Sequence, residues 1–110
     1  MSFSATTQIN GKTAIISIAG ELDAASAPAF RQEIEQAAAA NPEHLVLEMS
    51  ELEYMASAGL RVLIFAKQKM GVNVDVYVVA AQEMVLETLE KTGFDQSVII
   101  ADRYDTAVTA

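Results

Sequence analysis

The stretch Tyr54-Met55-Ala56-Ser57-Ala58-Gly59-Leu60 stands between an acidic segment and an apolar pattern of helical spacing. Reading it as the junction between a strand and a helix decides the fold. A serine just ahead of such a pattern makes a good helix N-cap, because its side-chain oxygen can accept a backbone N–H of the first turn. The spacing therefore predicts a helix that begins at Ser57, carries Leu60, Leu63, Ile64 and Met70 on one face, and ends at Gly71. The free N–H groups of a first turn and the positive end of the helix dipole also favour a phosphate at that place. A hydroxyl there can carry a charge switch.

Working outward, His44 to Met49 reads as a buried strand, with Leu45, Leu47 and Met49 on one side and Val46 on the other. Earlier still, Phe3 to Gln8 and Thr13 to Ala19 read as strands joined by the hairpin signal Ile9-Asn10-Gly11-Lys12. Gly20-Glu21-Leu22-Asp23 leaves the second strand as a loop. Ser26 followed by Ala27 and Pro28 marks a helix start, and Phe30, Ile34, Ala37 and Ala38 give that helix one apolar face before Asn41-Pro42 ends it. On the other side of the junction, Val72 to Val79 alternates valines with Asn73, Asp75 and Tyr77, which is strand periodicity. Met84, Val85 and Leu89 predict a third helix closed by Gly93, Ser97 to Ile100 a short last strand, and Asp102 onward either a final helical turn or a frayed end. Two strands followed by helix–strand–helix–strand–helix–strand predict an α/β fold. Its sheet is mixed but largely parallel, of about four to five strands, with an antiparallel start and helices packed against it.

Composition narrows the function. At 110 residues the chain, 1–110, fits one domain with a single core. Hydrophobic residues make up 52%, yet no apolar run approaches the ~18 residues of a membrane span, so membrane insertion is not expected. Met1-Ser2-Phe3-Ser4-Ala5 shows no basic stretch followed by an apolar one, so a signal peptide is not expected. Cysteine is absent, which removes disulfides, thiolate metal sites and a thiol nucleophile, and suits a cytoplasmic compartment. Fifteen acidic against seven basic residues give a charge of −8. That argues against nucleic acid and against anionic lipid as partners. It suits a protein partner with a basic surface, or simply keeps a small domain soluble.

Catalytic constellations are weak. The single histidine, His44, begins a buried strand, a structural position. Ser57 sits in no nucleophile elbow and no histidine follows it. The five glycines, at 11, 20, 59, 71 and 93, are scattered rather than gathered into a phosphate loop, so neither an enzyme nor a nucleotide cofactor is expected. Glu48, Glu51 and Glu53 cluster, and so do Asp102 and Asp105, but solvated acidic loops explain them, and no metal is expected. Around Ser57, by contrast, the small residues Ala56, Ala58 and Gly59 leave the hydroxyl accessible and let another chain approach the backbone. A plain helix cap is the alternative reading of Ser57.

The pairing of Gly20-Glu21-Leu22-Asp23 with Met55-Ala56-Ser57-Ala58-Gly59-Leu60-Arg61-Val62-Leu63 resembles the STAS domain of bacterial anti-sigma factor antagonists, in element order and length over nearly the whole chain. The family pattern in the second segment is Asp-Ser-(Ser, Thr or Ala)-Gly-Leu followed by an apolar helix. The resemblance implies a STAS fold and a partner-switching role. In that family the unmodified antagonist binds an anti-sigma factor that is also a serine kinase, of the histidine-kinase-like ATPase fold, and so frees a sigma factor. The kinase phosphorylates the serine that Ser57 matches, the complex parts, and a metal-dependent serine phosphatase resets it. The family aspartate is Ala56 here and the second hydroxyl is Ala58, so Ser57 is the only acceptor in the loop and a negative charge beside it is gone. The implied binding face combines Glu21, Asp23 and Ala24, the segment Met55, Ala56, Ala58 and Gly59, and the exposed side of the second helix, with Arg61 and Lys67 as candidates. The competing reading within the family is a STAS subunit that is never phosphorylated, such as an accessory subunit of a lipid-transporting ABC complex.

Overall fold

The computed structural model describes residues 3–103. Its elements are β1 (Phe3–Asn10), β2 (Thr13–Leu22), α1 (Ala27–Ala39), β3 (His44–Met55), α2 (Ser57–Met70), β4 (Asp75–Val79), α3 (Glu83–Thr92), a 3₁₀ turn over Phe94–Ser97, and β5 (Ile99–Ala101). The five strands form one sheet in the order β1-β2-β3-β4-β5. β1 is antiparallel to β2 and the other three pairings are parallel. This is the α/β arrangement the alternation predicts. The hairpin closes through Gly11 and Lys12 alone, since Asn10 pairs with Thr13, and Gly11 takes the positive φ such a turn requires.

Because each crossover advances to the next strand in the same direction, crossovers of one hand lay the helices on one face of the sheet. Burial agrees. Ala14, Ile16 and Ile18 of β2, Leu45, Leu47 and Met49 of β3, and Val76 and Val78 of β4 share one core cluster with side chains from all three helices. Phe30, Ile34 and Ala37 come from α1, Val62, Leu63 and Ala66 from α2, and Val85 and Leu89 from α3. Each large member stabilises the fold by roughly 1.5–3 kcal/mol relative to leaving it in water. The two-residue alternation of the strands thus points one set of side chains at the helices.

Several expectations shift. β2 and β3 run on past Ala19 and Met49 to Leu22 and Met55. The reason is a bulged ladder. From the pair Ser17–Glu48 to the pair Leu22–Met55, β2 advances five residues and β3 seven, with irregularities between Ser17 and Ala19 and between Gly20 and Glu21. Two extra residues on β3 let Met49, Leu52 and Met55, three apart, all face the core. A spacing of three is not strand periodicity, which is why the sequence reads as leaving the strand at Met49. The segment expected as a loop at Gly20–Asp23 is mostly strand, with Gly20 at a φ of +92° at the second irregularity.

β4 begins at Asp75, not Val72, because its partner β3 begins at His44 and offers nothing further to pair; Val72 is 97% exposed. On α2 the buried stripe is Gly59, Val62, Leu63 and Ala66, and Ile64 points outward at 41% exposure. On α3 Val85 and Leu89 are buried while Met84 is exposed. Ser97 belongs to the 3₁₀ turn, and the last strand is Ile99–Ala101. Of the turn expected from Asp102 onward, Asp102 and Arg103 are not helical, and the rest lies outside the described residues. His44 lies against Tyr77, ring centroids 5.9 Å apart, with its Nδ1 3.8 Å from a carboxylate oxygen of Asp75, a structural setting.

Candidate functional site

Two segments far apart in sequence are built into one platform at the C-terminal ends of β2 and β3. Leu22 pairs with Met55 in the ladder, and the Leu22 carbonyl accepts the Ala56 N–H at 2.8 Å. The next residue, Ser57, opens α2. Its first turn closes on the Ala56 carbonyl, which accepts the N–H groups of Gly59 at 2.9 Å and Leu60 at 3.2 Å. A Cβ placed on Gly59 would stand 2.6 and 2.7 Å from Cγ and Cδ2 of Leu22, and 2.9 Å from Cγ of Met55. Only glycine lets the first turn of α2 sit this close to the ends of both strands.

Ser57 is not the cap that the sequence suggests. It is already the first helical residue, and the cap position belongs to Ala56, whose extended backbone (φ −85°, ψ 173°) is right for a cap but whose methyl group supplies no acceptor. The strand holds on to Met55, and Ala56 between strand and helix takes the cap position. The Ser57 hydroxyl is therefore spared from capping, and its residue is exposed.

The expected contact residues divide by depth. Ala24 and Arg61 are exposed, and Glu21, Asp23, Ala56 and Ala58 are half-buried. Met55 and Gly59 are buried, so they support the platform from beneath instead of offering surface to a partner. Two large side chains that the sequence did not single out as surface do lie there: Tyr54 at 44% exposure near the end of β3, and Ile64 on α2. Arg61 and Ile64 follow Ser57 at helical spacing of four and seven, so the three share one outward stripe. Lys67 stands on the last turn of α2, at the opposite end from Ser57.

Asp23 has a structural task. Its Oδ1 accepts the backbone N–H groups of Ala25 and Ser26, each at 3.1 Å. The Asp23 N–H in turn donates to the Ser26 hydroxyl oxygen at 2.9 Å, and the Asp23 carbonyl accepts the Ala27 N–H that opens α1. The Ser26 hydroxyl lies 2.9 Å from the Glu21 carbonyl and 3.1 Å from Asp23 Oδ1, and its one proton serves either. Ser26 thus bonds backwards into the loop and does not cap α1 with its side chain. The backbone N–H of Ser26, then its hydroxyl, hold the Asp23 carboxyl below the ordinary aspartate value of 3.8.

The acids expected in a loop lie on β3 instead: Glu48 is half-buried with one oxygen accepting the Ser50 N–H at 3.1 Å, and Glu51 and Glu53 are exposed. Among the described residues, no group of three or more His, Asp or Glu is placed to hold a metal ion. No helix among them is long and apolar enough to cross a membrane. The platform is a strand-supported helix start presenting a free hydroxyl, with acids on its rim and one arginine on its outward stripe.

A domain that offers such a hydroxyl on a strand-supported helix start, beside a bulged strand pair, is of the class that matches the STAS domain model, here over residues 4–107. The chain belongs to the STAS-domain family of anti-sigma factor antagonists. It is 31% identical over 96 residues to the anti-sigma-F factor antagonist RsfB of Mycobacterium tuberculosis, covering 87% of this chain and 79% of that protein. The crystal structure of an anti-sigma factor antagonist from Mycobacterium paratuberculosis superposes with a TM-score of 0.88 at 29% identity, over 98% of this chain and 92% of that one. The anti-sigma factor antagonist SpoIIAA in its unphosphorylated form superposes with a TM-score of 0.76 at 17% identity, over 93% and 90% of the two chains, a likeness of fold.

Proposed function

We propose that this protein is an anti-sigma factor antagonist that works by partner switching. Unmodified, it docks through the platform and the outward stripe of α2 onto an anti-sigma factor that is also a serine kinase. The kinase transfers the terminal phosphoryl group of ATP to the Ser57 oxygen, the hydroxyl proton leaves, and the complex parts. A metal-dependent serine phosphatase hydrolyses the phosphate and restores the docking form. The reading places the protein in the cytoplasm, where sigma factors act.

The observation that carries this reading is the exposed Ser57 hydroxyl, freed from capping because Ala56 holds the cap position. Phosphorylation adds roughly −1.5 to −2 charges at pH 7. At a helix N-terminus the dipole favours that charge, so the domain stays folded. The cost falls on the interface, where a desolvated dianion faces the partner. A weakening of about 3 kcal/mol corresponds to roughly a hundredfold in affinity.

The test is incubation with the cognate kinase and ATP, followed by phosphosite mapping and binding measurements. The expected result is one phosphate, on Ser57, and affinity reduced about a hundredfold, with Ser57→Asp weakened in the same direction and Ser57→Ala still bound. Unchanged affinity of the modified protein overturns the switch and leaves a permanently docked adaptor.

A further inference from the structure

We propose that Arg61 grips the phosphate in cis once Ser57 is modified, so that one reaction both adds charge at position 57 and removes a cation from the docking surface. This rests on Ser57 being the modified residue, as read above.

Four residues apart on α2, Ser57 and Arg61 are neighbours on one helix face, with Cβ atoms roughly 5–6 Å apart. Both are exposed. Arg61 makes no ion pair among the described residues, whereas Lys12 pairs with Glu43 at 3.2 Å and the Arg31 guanidinium stacks 4.0 Å over the Phe65 ring. The residues three and four positions away from Arg61 on α2 are Ser57, Ala58, Ile64 and Phe65, none of them acidic, and the first turn of α2 holds no acid at all. A phosphate at Ser57 is therefore the first anion in the helical neighbourhood of this arginine. Lys67 and Lys69 stand ten and twelve residues beyond Ser57 on α2, roughly 15–18 Å along the axis, past the ~8 Å screening length of physiological salt. The planar guanidinium fork matches two phosphate oxygens at once, and an anion on the N-terminal side of a cation at this spacing is the favoured order on a helix. In the unmodified protein the same fork has no ion-pair partner among the described residues and is available to a carboxylate of the docking partner.

The experiment uses the full chain with phosphoserine installed at position 57 by genetic encoding, needing neither kinase nor partner. Phosphorus NMR follows the second ionisation of that phosphate in the otherwise native chain, in Arg61→Gln and in Arg61→Lys. At low salt, Arg61→Gln should raise the midpoint by roughly 0.3 pH unit. Arg61→Lys should fall between, and about 1 M salt should erase the difference. The helix dipole, Glu21 and Asp23 are common to all three proteins and cancel. Superimposable curves for the native and Arg61→Gln proteins at low salt overturn the grip. A kinase that fails to modify Ser57 overturns the switching role and leaves this titration untouched, so the two failures are told apart.

Discussion

The paired strands β2 and β3 are two different objects along their length. Between Thr13 and Ser17 on one strand and His44 and Glu48 on the other, every residue advances in step, and every second side chain (Ala14, Ile16, Leu45, Leu47) joins the shared core. Between Ser17 and Leu22 and between Glu48 and Met55 the ladder is bulged twice, and β3 spends two residues more than its partner. The regular half holds the domain together. The irregular half bends the chain and aims the start of α2, as bulges near functional sites do. Stability and site placement are thus assigned to opposite ends of one strand pair.

That division can be broken in order of expected effect. Leu47→Ala, in the regular half, leaves a cavity in the fully buried core and should destabilise the domain by about 3 kcal/mol in chemical denaturation, while the protein that remains folded still presents Ser57 normally. Gly59→Val, under the irregular half, pushes new atoms into Leu22 and Met55; about 2 kcal/mol should be lost, and here partner binding should suffer too. Equal binding by Gly59→Val and the native chain would show that the platform does not depend on this contact. Ala56→Asp supplies the missing acceptor at a cap position whose backbone already has the right shape, and should stabilise the domain by about 1 kcal/mol in thermal or urea melts.

The smallest effect belongs to Asp23. Its carboxyl titrates lower in the folded chain than in the unfolded one, so its contribution is present above pH 3.8 and is lost as pH falls through the lower folded value. The stability difference between the native protein and Asp23→Asn should therefore be constant near neutral pH and should shrink below about pH 3.8. A difference that grows as acid is added would assign the loop's order to some other group.

The same division marks what the sequence made legible. Alternation at Ala14, Ile16 and Ile18, and at Leu45, Leu47 and Met49, exposes the regular half of the sheet directly, and Gly71 and Gly93 mark helix ends that the structure keeps. The bulged half is opaque, because Met49, Leu52 and Met55 at intervals of three match no strand period until the extra residues are known. The sequence assigns Ser57 the cap, since nothing local reveals that the strand holds on until Met55. Spacing puts Ile64 on one face with Leu63, yet Leu63 is buried and Ile64 is exposed. Hydrophobicity shows that a side chain can be buried, whereas the small Gly59 and Ala66 set how closely α2 lies on the sheet and hence which of its neighbours turn inward.

The bond from the Ala56 N–H to the Leu22 carbonyl, together with the close seat of Gly59 on Leu22, fixes the first turn of α2 without help from the side chain at position 56. That side chain is consequently at liberty to vary without unfolding its owner, and it lies directly beside Ser57, the proposed acceptor. Cells that run several such modules in parallel would have in this position a place to write kinase identity, keeping one circuit insulated from the crosstalk of another.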